Sequence, residues 1–141
     1  MSTKTMGLEI VSAEAAVFSG TAEHVMVTGG MGELGIHPGH TALLTTIKPG
    51  QIQAILEGGR EEVFYLSGGM LEIQPDVVTI LADTAARAED LDEAAAIAAK
   101  EEAERAIVNK RSELEYSKAI IELAEAVAQI RAIKALRSKV K

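Results

Sequence analysis

The chain has no cysteine and no tryptophan, and only two phenylalanines and two tyrosines. Without cysteine, disulfides, thiolate metal sites and cysteine nucleophiles are excluded together, and the composition fits a reducing compartment. With so few aromatics the core has to be built from Val, Ile, Leu, Met and Ala, and a base-stacking face for single-stranded nucleic acid is not expected. Positive charge is also in deficit. Fourteen Lys and Arg stand against 21 Asp and Glu, a net charge of −7, so nucleic acid is not expected as a partner. No run approaches the about 18 apolar residues of a membrane-spanning helix, and Met1 to Glu9 lacks the apolar core of a secretory signal. A cytoplasmic setting is expected, with any membrane association going through a partner.

Glycine and proline are missing from one part of the chain only. From Met6 to about Asp83 they punctuate short apolar or alternating runs: Leu8–Val11, Val25–Val27, Leu43–Ile47, Gln51–Leu56, Glu62–Leu66, Met70–Ile73 and Val77–Leu81. These runs read as strands divided by turns such as Pro49-Gly50, Glu57-Gly58-Gly59-Arg60, Ser67-Gly68-Gly69 and Pro75-Asp76. Their shortness and close spacing predict a sandwich or flattened barrel.

After Asp83 neither glycine nor proline occurs, and alanine, glutamate, lysine and arginine dominate, which is helix composition. Asp90 with Glu93 offers one helix start, and Ser112 with Glu115 forms a capping-box pattern for a second. Asn109-Lys110-Arg111 makes the turn between them, placing basic residues at the negative end of the first helix. At 1.5 Å per residue the helices span roughly 28 and 39 Å, as an antiparallel hairpin. The fold expected is α+β: a β-sandwich or flattened barrel over 1–86, then a two-helix hairpin over 87–141.

The helix faces suggest how the hairpin is held. The first helix offers Leu91, Ala95, Ala99, Ala103 and Ala106 on one side, a small-residue stripe. The second offers Tyr116, Ala119, Ile120, Leu123, Ala126, Val127 and Ile130, and on nearly the opposite side Ile121, Ala124, Ala128, Ala132 and Ala135. It therefore needs two partners: either its mate and the β domain together, or a partner that changes. Alanine stripes bury little area, so at about 25 cal/mol per Å² the attachment is worth only a few kcal/mol. An attachment of that size can be undone by a competing surface.

Gly32-Glu33-Leu34-Gly35-Ile36-His37-Pro38-Gly39-His40 concentrates turn formers and charge between two strand-like runs, and reads as a rigid, shaped loop free of helix or ladder. Gly30-Met31-Gly32-Glu33-Leu34-Gly35 matches a dinucleotide fingerprint literally. A phosphate-cradling loop must open into a helix, whereas this one runs into His37-Pro38-Gly39, and Gln53-Ala54 stand where a ribose-binding acid would be.

Other chemistries lack parts. His37 and His40 have no third metal ligand nearby, and His24 has no spacing relation to them. Ser67-Gly68-Gly69 has Tyr65 where a nucleophile elbow needs glycine. Glu89, Asp90, Asp92 and Glu93 are acids at a helix start, as the dipole favours. Arg131, Lys134, Arg137, Lys139 and Lys141 fit dipole compensation as well as recognition. No nucleophile, base and oxyanion donor can be assembled, so a small-molecule hydrolase is the weakest reading. A stand-alone β-sandwich ligand-binding module with a helical appendage is the competing reading.

Val11-Ser12-Ala13-Glu14, Phe18-Ser19-Gly20, Gly32-Glu33-Leu34-Gly35-Ile36 with Pro38-Gly39-His40, Tyr65-Leu66-Ser67-Gly68-Gly69, Val78-Thr79-Ile80-Leu81-Ala82 and Leu91-Asp92-Glu93-Ala94 follow one another in a recognisable order. Along nearly its whole length the chain resembles the epsilon-subunit family of bacterial F-type ATP synthases. The resemblance implies a rotor part, a non-catalytic subunit for which no cofactor is expected. Its β domain would clamp the gamma subunit and sit on the ring of c subunits, on the cytoplasmic face of the inner membrane. Its hairpin, when extended along gamma, would block ATP hydrolysis. Glu33 and His40 would fall in the loop facing the c-ring and gamma, and Ser12 near the gamma contact. Arg131, Lys134 and Arg137 are similar in placement to the basic residues that meet the catalytic alpha and beta subunits. Family members that bind ATP carry Leu/Ile-Asp-x-x-Arg-Ala, and here Ala95 replaces the arginine. Its loss removes up to about 1.5–3 kcal/mol of charge-assisted bonding, and nucleotide binding is not expected.

Overall fold

Short apolar or alternating runs divided by turns build the first part of the chain. In the computed structural model, which describes residues 4–29, 32–109 and 112–139, nine strands form one hydrogen-bonded ladder in the order β4-β7-β8-β1-β2-β5-β6-β9, with β3 added beside β2. They are β1 (Met6–Ser12), β2 (Ala16–Gly29), β3 (Gly32–Ile36), β4 (Leu43–Ile47), β5 (Gly50–Leu56), β6 (Glu61–Leu66), β7 (Gly69–Gln74), β8 (Val77–Ala82) and β9 (Ala85–Arg87). All pairings are antiparallel except β1 with β8.

The long strand β2 organises the layers. Its first half pairs with β1 and its second half, Val25–Gly29, with β3, while β5 runs along its other edge. The β2–β5 register shifts between Ala22 and His24, a bulge that adds twist and lets one strand serve both layers. Inward-facing Leu8, Ile10, Val25, Ile52, Phe64, Leu71, Ile73, Val78 and Ile80 then meet in a single buried core. This is the expected β-sandwich.

Strand β6 departs from alternation. Val63, Phe64, Tyr65 and Leu66 are all buried, because Phe64 and Leu66 face the core while Val63 and Tyr65 face the helices. Helix α1 (Glu93–Val108) follows a 3-10 turn at Ala88–Asp90, and α2 (Glu113–Lys139) completes the hairpin. With 16 and 27 residues, they are about 24 and 40 Å long. Helix α2 lies between α1 and the outer face of β5 and β6, so both of its predicted partners belong to this chain.

Four expectations are corrected. Gly32–Ile36 is a strand paired with β2, not a ladder-free loop; only Ile36 of β3 is buried, so its apolar signal is weak and pairing is supplied by its neighbour. Strand β2 begins nine residues before Val25, at Ala16, and β9 was not expected. Helix α1 is capped by Asp92, whose carboxylate accepts the Ala95 N–H at 3.1 Å, while Asp90 ends the 3-10 turn. Finally, α1 buries Ala96 and Ala103, with Lys100 and Ile107 half-buried, whereas Ala95, Ala99 and Ala106 are exposed. The stripe is turned by one residue. The Ser112 cap holds, its hydroxyl accepting the Glu115 N–H at 3.1 Å; Lys110 and Arg111 of the predicted turn, and Gly30 and Met31 of the glycine pattern, lie outside the described residues.

Candidate functional site

Two surfaces stand out. The first is the seam between β3 and β4. Among the described residues β3 has only β2 as a ladder partner and β4 only β7, so their facing edges leave a cleft of about 250 Å³ lined by Glu33, Leu34, Leu43 and Thr45. Unpaired edges are ready templates for another chain. Leu44 beside the cleft is 62% exposed and Leu43 40%, so apolar area accompanies the open backbone groups.

The connection over this seam is held stiffly. Gly39 sits at φ +87, a region open to glycine, and its N–H donates to Pro75 O at 2.7 Å. The His40 N–H closes the turn onto His37 O, and His40 Nδ1 lies 2.7 Å from Thr41 O. Behind the turn the His37 ring stacks on His24, centroids 4.3 Å apart. Burial, and then the neighbouring His37, hold His24 below the usual histidine range. The sequence gives no spacing link between these two histidines; the β2–β3 register supplies it. No cluster of three metal-ligating side chains occurs among the described residues.

Glu33 is exposed on β3 opposite Thr28, and His40 begins the run into β4, so both belong to the seam. Ser12 does not. It ends β1 at the turn into β2, where its hydroxyl caps Ala15 and Glu14 N–H groups. From Ala16 to Thr28, where β2 meets Glu33, is twelve residues, roughly 40 Å of strand.

The second surface is the docked hairpin. Val63, Tyr65, Ala88, Ala128 and Ala132 form a small cluster joined by Leu91, Ala135 and Leu136. Gln129 of α2 hydrogen-bonds the Tyr65 hydroxyl, whose pKa is raised chiefly by burial. Glu125, one turn away, is pushed above the ordinary carboxylate range by burial and then by Glu122 and Asp83. Arg137 is engaged by Glu93 at 2.7 Å, whereas exposed Arg131 and Lys134 make no ion pair among the described residues. Ala95 faces solvent in the first turn of α1.

Arg87 was not singled out from the sequence. It pairs with Glu62 at 3.2 Å and lies over the Phe64 ring, 5.4 Å from its centroid, pinning β9 to β6 where the chain leaves the sandwich. Its only sequence signal is a lone cation between small residues, which is too weak to read.

Comparison with known proteins gives matching results over both parts. Residues 5–88 match the family model for the ATP synthase Delta/Epsilon chain beta-sandwich domain, and 89–134 that for its long alpha-helix domain. The chain is 57% identical over 137 residues to the ATP synthase epsilon chain of Legionella pneumophila (strain Corby), covering 97% of this chain and 98% of that one. It is 58% identical over 131 residues to the one from Chromohalobacter salexigens, covering 93% of each. In fold it is similar to a chain in the Euglena gracilis mitochondrial ATP synthase OSCP/F1/c-ring structure, with a TM-score of 0.76 at 22% identity, over 97% of this chain and 82% of that one.

Proposed function

This chain belongs to the ATP synthase Delta/Epsilon chain family, and we propose that it works as the central-stalk epsilon subunit of a proton-translocating F-type ATP synthase. It is a non-catalytic subunit. No described helix is long and apolar enough to cross a membrane, and association with the membrane is peripheral, through the complex. The near full-length identity to epsilon chains carries this reading.

In this reading the chain has two modules, 1–86 and 87–141. The β3–β4 seam, with Glu33 and His40, meets the c-ring and gamma, and Ser12 meets gamma elsewhere on the sandwich. The hairpin regulates. Docked on β5 and β6 it is out of the way; extended along gamma it presents Arg131, Lys134 and Arg137 to acidic surfaces of the alpha and beta subunits and blocks hydrolysis. The small alanine-rich contact supports release, since its attachment is worth only a few kcal/mol by buried area. The complex sits on the cytoplasmic face of the bacterial inner membrane.

Co-purification from native membranes tests the reading. Gamma and the c-ring should accompany the wild-type chain, and replacing both Leu43 and Leu44 by Asp should lose the c-ring while the isolated chain stays folded. A variant that keeps the whole complex would remove the seam from the interface.

A further inference from the structure

Strands β2 and β3 stay paired up to Val25 and Ile36, both buried in the core. Side chains alternate across a ladder, so the next pair, His24 and His37, points outward. There the two imidazoles stack, with centroids 4.3 Å apart and planes 25° from parallel. His37 also opens the turn that follows: the His40 N–H donates to His37 O at 3.1 Å, and the Gly39 N–H to Pro75 O at 2.7 Å. The stack therefore ties the end of β3, and the connection it leads into, back onto β2.

The charges around the pair are few. On β3 the neighbour is Gly35, where an added Cβ would stand 3.6 Å from His24 Nε2. On β5 Gln53 and Ile55 are uncharged, and on β6 Glu61 and Glu62 line the far side of the groove beside His24. Ile55 stands between His24 and Glu61 in the ladder, so that carboxylate is two strand spacings, about 10 Å, away. Glu62 is engaged by Arg87 at 3.2 Å and lies 4.0 Å from Arg60. On β2 itself Glu23 accepts the Gly58 N–H, and beyond the turn His40 Nδ1 lies against Thr41 O. These carboxylates do not offset burial and the neighbouring His37, which hold His24 below the ordinary histidine value. One ring can carry a proton against a neutral neighbour. A second proton sets two like charges 4.3 Å apart, which disfavours the doubly charged stack.

We propose that the His24–His37 stack is a proton-operated latch. It holds the β3–β4 connection closed while at most one ring is charged, and a second proton parts the rings and frees the turn. Parted rings take up that proton more readily than stacked ones, so the latch holds above the ordinary histidine value of 6.5 and loosens as pH falls below it. With the connection at the interface proposed above for the c-ring and gamma, acid loosens that interface. This consequence rests on that reading; the latch itself does not.

Amide hydrogen exchange of the full chain from about pH 7.5 to about 5.0, corrected for the chemical rate, tests the proposal together with NMR titration of the imidazoles. Protection over residues 35–40 should fall by about tenfold per pH unit once the second proton binds, the slope of one proton, while β1 and β8 stay protected. The two rings should titrate in coupled steps. His37→Phe keeps an aromatic partner that takes no proton, so its protection should stay level across the range, whereas His37→Ala should be open at both ends of it. Independent titration of the two rings overturns the proposal. So does protection over 35–40 that ignores pH in the wild-type chain, or that falls equally in His37→Phe. Failure of the chain to assemble with stalk subunits would sink the rotor reading and leave this result standing.

Discussion

Glu93 accepts a hydrogen bond from the Arg137 guanidinium at 2.7 Å, joining the first turn of α1 to the last turns of α2. The pair fastens the open end of the hairpin. It also engages Arg137, one of the three cations proposed to act in the extended state, so in that proposal docking and inhibition compete for the same side chain. With 62% and 38% of the two side chains exposed, the pair contributes no more than about 0.5 kcal/mol.

Glu93→Gln should therefore raise the released fraction of the hairpin about twofold, the change that 0.5 kcal/mol makes in a population ratio. Distances between spin labels on α2 and β5 measure it. An unchanged distribution would mean that Arg137 is held by packing alone.

Acid should favour docking. Glu125 has a pKa raised above 4.5 in the docked state, first by burial and then by Glu122 and Asp83, so docking takes up a proton. The stabilisation is fully present below the ordinary carboxylate value and is lost as pH rises through the raised one. Glu125→Gln should keep the hairpin docked at neutral pH and flatten the dependence. The same label distances followed from pH 4.5 to 7.5 check this, and a dependence of opposite sign would remove Glu125 as its source.

Deleting the residues after Asp90 should leave a folded β domain. Every member of the large core cluster comes from the strands, and the helices pack on the outer face of β5 and β6, where Val63 and Tyr65 are buried against them. Cooperative thermal unfolding of the truncated chain, together with relief of hydrolysis inhibition in the reassembled complex, is the expected result. A truncated chain with no cooperative transition would show that the hairpin is part of the core.

Gly69→Ala should be severe. Gly69 adopts φ +144, and an added Cβ would stand 2.1 Å from Leu81 O, so β7 and β8 cannot keep their register at Ala82. Backbone strain of this kind combined with a lost ladder contact costs several kcal/mol, on the order of 3 or more. Chemical denaturation of the variant measures it. Gly39→Ala, with open space around its Cβ position, should cost less, about 1 kcal/mol from the positive φ alone.

Strands β5 and β8 were legible as short runs rich in β-branched residues and bounded by turn signals, and they stand where the sequence puts them. Strand β3 was not, since only Ile36 of its five residues is fully buried and its glycines read as turn chemistry. The stripe on α1 was misplaced for another reason. Alanines occur on every side of that helix, so the phase of its buried face is decided by contacts with α2 and not by hydropathy. Lys100 occupies the true stripe half-buried, its stem covering apolar area while the charge stays wet. The clearest missed clue was Val63-Phe64-Tyr65-Leu66. Four consecutive large apolar residues cannot all point into one layer, so something had to cover the other side.

That strand also carries a liability. In the proposed released state Val63 and Tyr65 lose the cover of Ala128 and Ala132 and are left wet. A tailless head should then pair with its own kind as concentration rises. Sedimentation would register this berth-to-berth sticking, which the intact protein prevents by acting as its own lodger.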